Sequence, residues 1–371
     1  MTLLSLGLMS GTSMDGVDAA LLKTDGQQVL ERLGHHFIPY PAEFTLALKA
    51  AEKTVRASQG DITPFKTLIQ KSTDYHQQAV ETLLAKIQTS TIDVIGYPGQ
   101  TLFHAPLLNK SIVIGNAAQL AQHFHCRVVS DFRRQDIEAG GQGAPFAPLY
   151  HQALALQTHQ PLPLAVVNCG GIANITVITG STLDDVSGFD TGPGNTLIDA
   201  LVRERTQGLE TCDLNGRYGQ QGQVWETWLN TFYEHPFFQK SPPKSLDVGD
   251  FFLVDGLKEL SLADAAATLE ALTADSIVHS IDWLEKPYPL TWILTGGGWH
   301  NPIILTQFQY RLKKRLGNTV QIKTAEAVGW NSASLEAELF AYLAVRSLRG
   351  LPLSVPKTTG VNRAMTGGTV V

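Results

Sequence analysis

At 371 residues the chain is longer than one hydrophobic core usually serves, so two lobes of ordinary domain size are expected. With 43% hydrophobic and 17% charged residues it reads as a soluble globular protein rather than a disordered one. A net charge of −6 without a dense Lys/Arg cluster argues against nucleic acid or an anionic membrane as partner, and no run of about 18 apolar residues offers a membrane span.

Periodicity predicts a strand at 3–9, then a turn of Gly, Ser, Thr and Asp, then strands at 17–23 and 29–38. The apolar start has no basic flank and meets Asp15 and Asp18 at once, so no signal peptide is expected. A helix over 64–88 leads to strands at 92–97, 112–114 and 128–130. Beyond them come strands at 164–168 and 175–178, helices at 196–205, 224–232 and 262–284, strands at 292–294 and 320–322, and a helix over 332–348. A meander followed by alternating strands and helices indicates an α/β protein with mixed sheets. The strand, small-residue turn and strand of VVNCGGIANITVI at 166–178 repeat the layout of the opening stretch, which suggests two lobes of related construction. Cys126, Cys169 and Cys212 show neither CxxC nor CxxH spacing, so three reduced, mostly buried thiols are expected, as in a cytoplasmic protein.

Three glycine-rich turns suggest an anion. Glycine lets a backbone approach a ligand closely, and successive N–H groups in a concave turn form a nest for phosphate. The turn Gly11-Thr12-Ser13-Met14-Asp15-Gly16 adds hydroxyl donors and a carboxylate able to hold hydrated Mg²⁺; an ordinary hairpin turn is its alternative. Gly170-Gly171 forms the second turn, and Gly296-Gly297-Gly298 in TWILTGGGWHNP the third, with room for a base or ribose. Neither GxxxxGK[ST] nor GxGxxG opening a helix occurs, so a nucleotide would be held by paired hairpins in an interdomain cleft, as in the two-lobed ATPases of the actin, hexokinase and Hsp70 type. In DVSGFDTGPGNTLIDA at 185–200, Asp190 sits in a glycine-rich turn from strand to helix; it is a candidate general base, with a turn or cap role as the alternative.

Six ordered stretches, MSGTSMDGVD (9–18), GQTLFHAP (99–106), SDFRRQDIEAGGQGAP (130–145), NCGGIANIT (168–176), GFDTGPGN (188–195) and TGGGWHNP (295–302), closely resemble the anhydro-N-acetylmuramic acid kinase family. The resemblance implies the two-lobed sugar-kinase fold, with 1–127 plus 352–371 as one lobe and 128–351 as the other. It further implies ATP- and Mg²⁺-dependent conversion of 1,6-anhydro-N-acetylmuramic acid and water to N-acetylmuramic acid 6-phosphate, in cytoplasmic cell-wall recycling, by a homodimer that binds neither nucleic acid nor membrane.

By the same resemblance Asp190 is the catalytic aspartate. Gly11, Thr12, Ser13, Met14, Asp15, Gly16, Val17 and Asp18 meet the ATP phosphates with Gly170 and Gly171, and Gly296, Gly297 and Gly298 lie near adenosine; Asp15 is the candidate Mg²⁺ residue. Arg133 is expected at the lactyl carboxylate, with Thr101, His104, Gln142 and Glu336 around the sugar; Glu336 also suits a helix start. Three departures stand out: GYPGQT replaces the usual SHGQT, Cys169 stands where Ile is usual, and Trp299 where a smaller residue is common. A kinase acting on an ordinary hydroxyl of an amino sugar is the nearest rival reading.

Overall fold

The computed structural model describes residues 1–11, 13–246, 251 and 255–371, the side chains of Leu107 and Asp255 apart. It divides into one unit of Met1–His159 with Ala333–Val371, and a second of Gln160–Ser332. Among the described residues no helix is long and apolar enough to cross a membrane.

In the first unit β1 (Leu3–Met9), β2 (Gly16–Thr24) and β3 (Val29–Pro39) form an antiparallel meander. The helices α1 (Ala42–Ala57) and α2 (Lys66–Ile87) follow, then β4 (Val94–Tyr97), the hairpin β5 (Gln100–Ala105) and β6 (Lys110–Ile114), α3 (Ala117–Phe124) and β7 (Arg127–Ser130). β4 lies parallel to β1, and β7 parallel to β4. After α4 (Arg134–Glu138) and α5 (Ala147–Gln157) the chain leaves this unit, returning with α11 (Leu335–Leu348), α12 (Pro356–Thr359) and β13 (Thr369–Val370), whose strand pairs with β7.

The second unit opens with β8 (Leu164–Cys169), β9 (Ile172–Ile178) and β10 (Val186–Pro193). α6 (Thr196–Arg205), α7 (Glu226–Phe232), α8 (Pro236–Gln239) and α9 (Leu262–His279) come next, and β11 (Thr291–Thr295), α10 (Pro302–Leu316) and β12 (Gln321–Thr324) complete it. Its sheet runs β10-β9-β8-β11-β12, and the other runs β13-β7-β4-β1-β2-β3. Numbered within each unit, leaving the β5–β6 hairpin and the returning β13 aside, both read third, second, first, fourth, fifth: a meander, then two strands parallel to the first. The internal repetition seen in the sequence is therefore a repetition of topology.

The units part at 159/160 and 332/333, not at 127/128 and 351/352 as the resemblance implied. Hydrogen bonding assigns β7 to the first sheet. Close approach assigns α11: Gly7 and Gly96 are register partners, and a Cβ on either would meet helix backbone at 1.9 Å (Ala337 O) or 2.1 Å (Phe340 O). Only glycines leave α11 that space. On α1 the buried positions Phe44, Leu48, Ala51 and Val55 fall on one helical face and join the first unit's core with Leu6, Leu8 and Val17. α9, apolar nearly all round, is the central helix of the second unit, where Leu269 and Leu272 join one cluster and Ala274 and Ile277 another. The 196–205 helix falls where predicted, whereas the 262–284 segment ends its α-helix at His279 and continues as a single tighter turn.

Candidate active site

The motif loops leave the carboxyl ends of strands: β1 and the parallel β4 and β7 in the first unit; β8, the parallel β11, and the antiparallel edge strand β10 in the second. That end is where open α/β sheets present their ligand-binding loops.

The 10–16 turn is braced from beneath. Ser10 Oγ lies 3.0 Å from both Gly16 O and Tyr40 Oη and also meets Gln100 Oε1, while Gln100 Nε2 donates to Gly11 O at 3.2 Å and Met14 N to the same oxygen at 3.1 Å. Met14 has φ +54° and, like Val17, a side chain buried in the core, so both can offer a phosphate only backbone. Ser13 Oγ donates to the exposed Asp15 Oδ1 at 2.7 Å, and Asp18 Oδ1 meets His35 Nε2 at 2.7 Å. Thr12 lies outside the described residues. Among the described residues no cluster of three or more His, Cys, Asp or Glu forms a protein-only metal site. One exposed carboxylate beside a hydroxyl fits Mg²⁺ that keeps its waters and is held mainly by phosphate oxygens.

Three of the residues expected at the sugar, His104, Arg133 and Gln142, are held on one loop within the first unit. His104, on β5, donates from Nε2 to Gln142 O (3.0 Å) and accepts at Nδ1 from Ser111 Oγ (3.3 Å), the tautomer following from the carbonyl. Arg133 Nη1 donates to Gly143 O at 2.8 Å. Beneath them is Asp136, 2% exposed, which accepts from Gly143 N (2.7 Å), Thr359 Oγ1 (2.6 Å) and Ser354 Oγ, while Gln142 N donates to Thr359 O at 2.8 Å. Thr101 is half-buried at a bulge of β5. Glu336, in the first turn of α11, has its carboxyl raised above the ordinary range by lost hydration and then by Asp18, with Arg133 opposing and Asp15 adding. Arg133 and Glu336 thus share one electrostatic neighbourhood with the phosphate-turn carboxylates. A separate cavity of about 490 Å³ is lined by Tyr97, Pro98, Ile112, Asp131, Arg134 and Glu138 among others. Tyr97 and Pro98 of the altered GYP stretch line it, and none of Thr101, His104, Arg133, Gln142 and Glu336 does.

In the second unit, Asp190 is a strand residue of β10, not a turn residue as the sequence suggested, and the ladder with β9 is bulged between Asp190 and Gly192. Bulges re-aim side chains and are common beside active sites. Asp190 N donates to Lys244 O (2.9 Å), and its Oδ2 accepts from Leu246 N (2.8 Å). Burial pushes the Asp190 carboxyl up to about 7, with the Leu246 N–H opposing. Burial likewise raises Asp199, one turn into α6, to about 6, with Arg203 opposing.

The 170–171 turn rests on the start of α6: Gly194 N and Thr196 Oγ1 donate to Gly171 O, and Asn195 N to Gly170 O. The Gly296–Gly298 loop lies directly on the same hairpin, since a Cβ on Gly298 would meet Cys169 Sγ at 2.4 Å. Cys169 is buried, whereas Cys126 and Cys212 are half-buried, so two of the three thiols are more open than expected. Trp299 pins the loop from its other end, donating to Val167 O at 3.2 Å and packing on Phe308 at 5.0 Å. Ser10, Asp136 and Lys244 carry much of this geometry and were not singled out from the sequence. Asp136 sits inside a quoted motif, but two of its three partners, Ser354 and Thr359, are over 200 residues away.

Two units of one strand order, each bearing glycine turns at the carboxyl ends of strands, have the α/β construction expected of the actin, hexokinase and Hsp70 type of fold. Residues 3–371 match the family profile described as anhydro-N-acetylmuramic acid kinase, and the chain belongs to that family. It is 42% identical over 376 residues to the anhydro-N-acetylmuramic acid kinase of Bradyrhizobium diazoefficiens, covering 100% of this chain and 99% of that one. It is 41% identical over 373 residues to the enzyme of that name from Rhodopseudomonas palustris, covering 99% of each. Among solved structures it overlaps component A of the (R)-2-hydroxyglutaryl-CoA dehydratase of Acidaminococcus fermentans, with 13% identity, a TM-score of 0.44, and 92% and 99% of the two chains covered.

Proposed function

We propose that the protein uses ATP to open 1,6-anhydro-N-acetylmuramic acid with water and to phosphorylate the O6 so released, giving N-acetylmuramic acid 6-phosphate and ADP for cell-wall recycling. Asp190 carries this reading: a half-buried carboxylate on a rigid bulge, with basicity near neutrality, suits a general base. In the reaction the carboxylate takes a proton from water as its oxygen bonds to C1. The C1–O6 bond breaks, O6 bonds to the γ-phosphorus, and the bond from that phosphorus to the β,γ-bridging oxygen breaks. Phosphoryl capture absorbs the charge on O6, so one carboxylate serves where a glycosidase needs two.

Backbone N–H groups of residues 11–16 with Gly170 and Gly171 would hold phosphates, and the Gly296–Gly298 loop would take adenosine. When bound, Mg²⁺ neutralises phosphate charge, with Asp15 as its point of attachment. Arg133 would grip the lactyl carboxylate while Thr101, His104, Gln142 and Glu336 line the sugar. A cytoplasmic homodimer, implied by the family resemblance, belongs to the same proposal. Asp190→Asn tests the reading: phosphorylated sugar should fall below detection while calorimetric ATP affinity stays within about twofold. Full turnover by that variant would remove Asp190 from the mechanism.

A further inference from the structure

β10 is an edge strand of its sheet, and the outer side of Asp190 is completed by residues 244–246, which belong to no helix or strand. That segment holds Asp190 twice, accepting from its N–H at Lys244 O and donating from Leu246 N to Oδ2. Irregular backbone keeps such a position only if something else fixes it.

The segment begins at Lys244, whose side chain is 5% exposed. Its ammonium donates to Phe237 O at 3.2 Å and lies 4.5 Å from the ring centre of Phe237 and 5.1 Å from that of Trp283. Among the described residues no carboxylate pairs with it. Among the described residues the charged or titratable groups that act on it are Lys240 and His279, neither an anion. Burial, with Lys240 adding, lowers the amine to about 8, so it remains mostly charged at neutral pH. A buried ammonium with no carboxylate partner among the described residues is a costly filler for an aromatic pocket that methionine would occupy. What the cation adds is an attachment to both rings and a carbonyl, from a residue whose own backbone faces Asp190.

We propose that Lys244 is a positioning residue for Asp190, clamping residues 244–246 so that the Leu246 N–H orients the carboxylate and sustains its ionised form. The inference rests on Asp190 being the base. Lys244 acts through the segment rather than by its own charge, because its side chain points to α8 while its carbonyl meets β10.

The test is the pH profile of kcat/KM for 1,6-anhydro-N-acetylmuramic acid with the full chain. Lys244→Met keeps the side chain's length and loses its charge and donor. Its acidic limb should move up by about one pH unit, the effect of one lost hydrogen bond to a carboxylate. The loss should be about fivefold near pH 7 and nearly vanish near pH 9, with the KM for ATP unchanged. Lys244→Arg keeps cation and donor and should restore the limb. A Lys244→Met protein with wild-type circular dichroism, ATP affinity and acidic limb overturns the inference. Should Lys244→Met fail to fold, Trp283→Leu removes one wall of the clamp at a partly exposed position, and an unmoved limb there overturns it equally. Asp190→Asn in the same series separates the two ideas: if it is inactive while the clamp variants behave as wild type, only the role of Lys244 fails. If Asp190→Asn turns over normally, the reading of the base fails and takes this one with it.

Discussion

Replacing Asp136 by alanine should be among the most damaging single changes in the first unit. The carboxylate is 2% exposed and accepts from Gly143 N, Thr359 Oγ1 and Ser354 Oγ. Stranding three buried donors at about 1–2 kcal/mol each predicts a loss of roughly 3–6 kcal/mol. Asparagine should cost less. Its oxygen can still accept from the rigid Gly143 N–H, and both hydroxyls can turn to accept from its amide, leaving mainly the lost charge assistance at about 1–2 kcal/mol. All six tryptophans lie between Trp225 and Trp330, in the second unit, so fluorescence is the wrong probe. Far-UV circular dichroism in urea, with hydrogen exchange read over residues 134–146, follows the affected unit. Because Gly143 O also receives Arg133 and Gln142 O receives His104, Asp136→Asn should raise the KM for the sugar while leaving that for ATP alone. An alanine variant within about 1 kcal/mol of wild type, with residues 134–146 still protected, would refute the reasoning.

Arg133→Ala should raise the KM for the sugar by about tenfold or more with a smaller change in kcat; unchanged kinetics would return Arg133 to a structural role. Gly298→Ala places a methyl 2.4 Å from Cys169 Sγ and should weaken ATP binding by about tenfold, an overpacking cost that Cys169→Ala in the same chain should partly relieve in calorimetry. The wild-type kcat/KM should rise with pH through about 7, because the Asp190 carboxyl must be ionised to act; a limb near the ordinary carboxylate range would deny it that role. The Glu270 carboxyl is pushed up to about 8 by burial, with the Asn301 amide opposing and Asp213 adding. The folded chain therefore holds a proton that the unfolded chain has lost above about 4.5, so stability falls as pH rises from there to about 8. Glu270→Gln should flatten that slope in urea titrations followed by tryptophan fluorescence.

Much of the candidate site is legible in the sequence because its turns are local. The glycines of 11–16, 170–171 and 296–298 announce themselves between apolar strands, and the likeness between 166–178 and the opening hairpin, which suggests two lobes of related construction, has its counterpart in two sheets of one strand order. The helix over 42–57 is not predicted: the exposed Leu46 and the intervening alanines blur the face made by Phe44, Leu48, Ala51 and Val55, and Pro41 starts the helix without a capping side chain. The unit boundary misleads because α11 is claimed by Gly7 and Gly96, over 200 residues upstream, whose lack of a side chain matters only once the helix lies on them. Asp190 is legible as a candidate but not as a bulged strand residue, since its outer partners arrive from 244–246. Lys244 in PPKS has no local pattern at all; its meaning comes from two aromatic rings and a carbonyl brought together by the fold.

The central claim is that a single carboxylate deprotonates water for attack at C1 while ATP captures O6. Incubation with ATP and 1,6-anhydro-N-acetylmuramic acid in ¹⁸O-labelled water tests it most directly. The account predicts one labelled oxygen on C1 of the 6-phosphosugar and none in the phosphoryl group. A product without label at C1, or label appearing in the phosphate, would contradict it and favour simple phosphorylation of a hydroxyl already present or hydrolysis of ATP apart from the sugar.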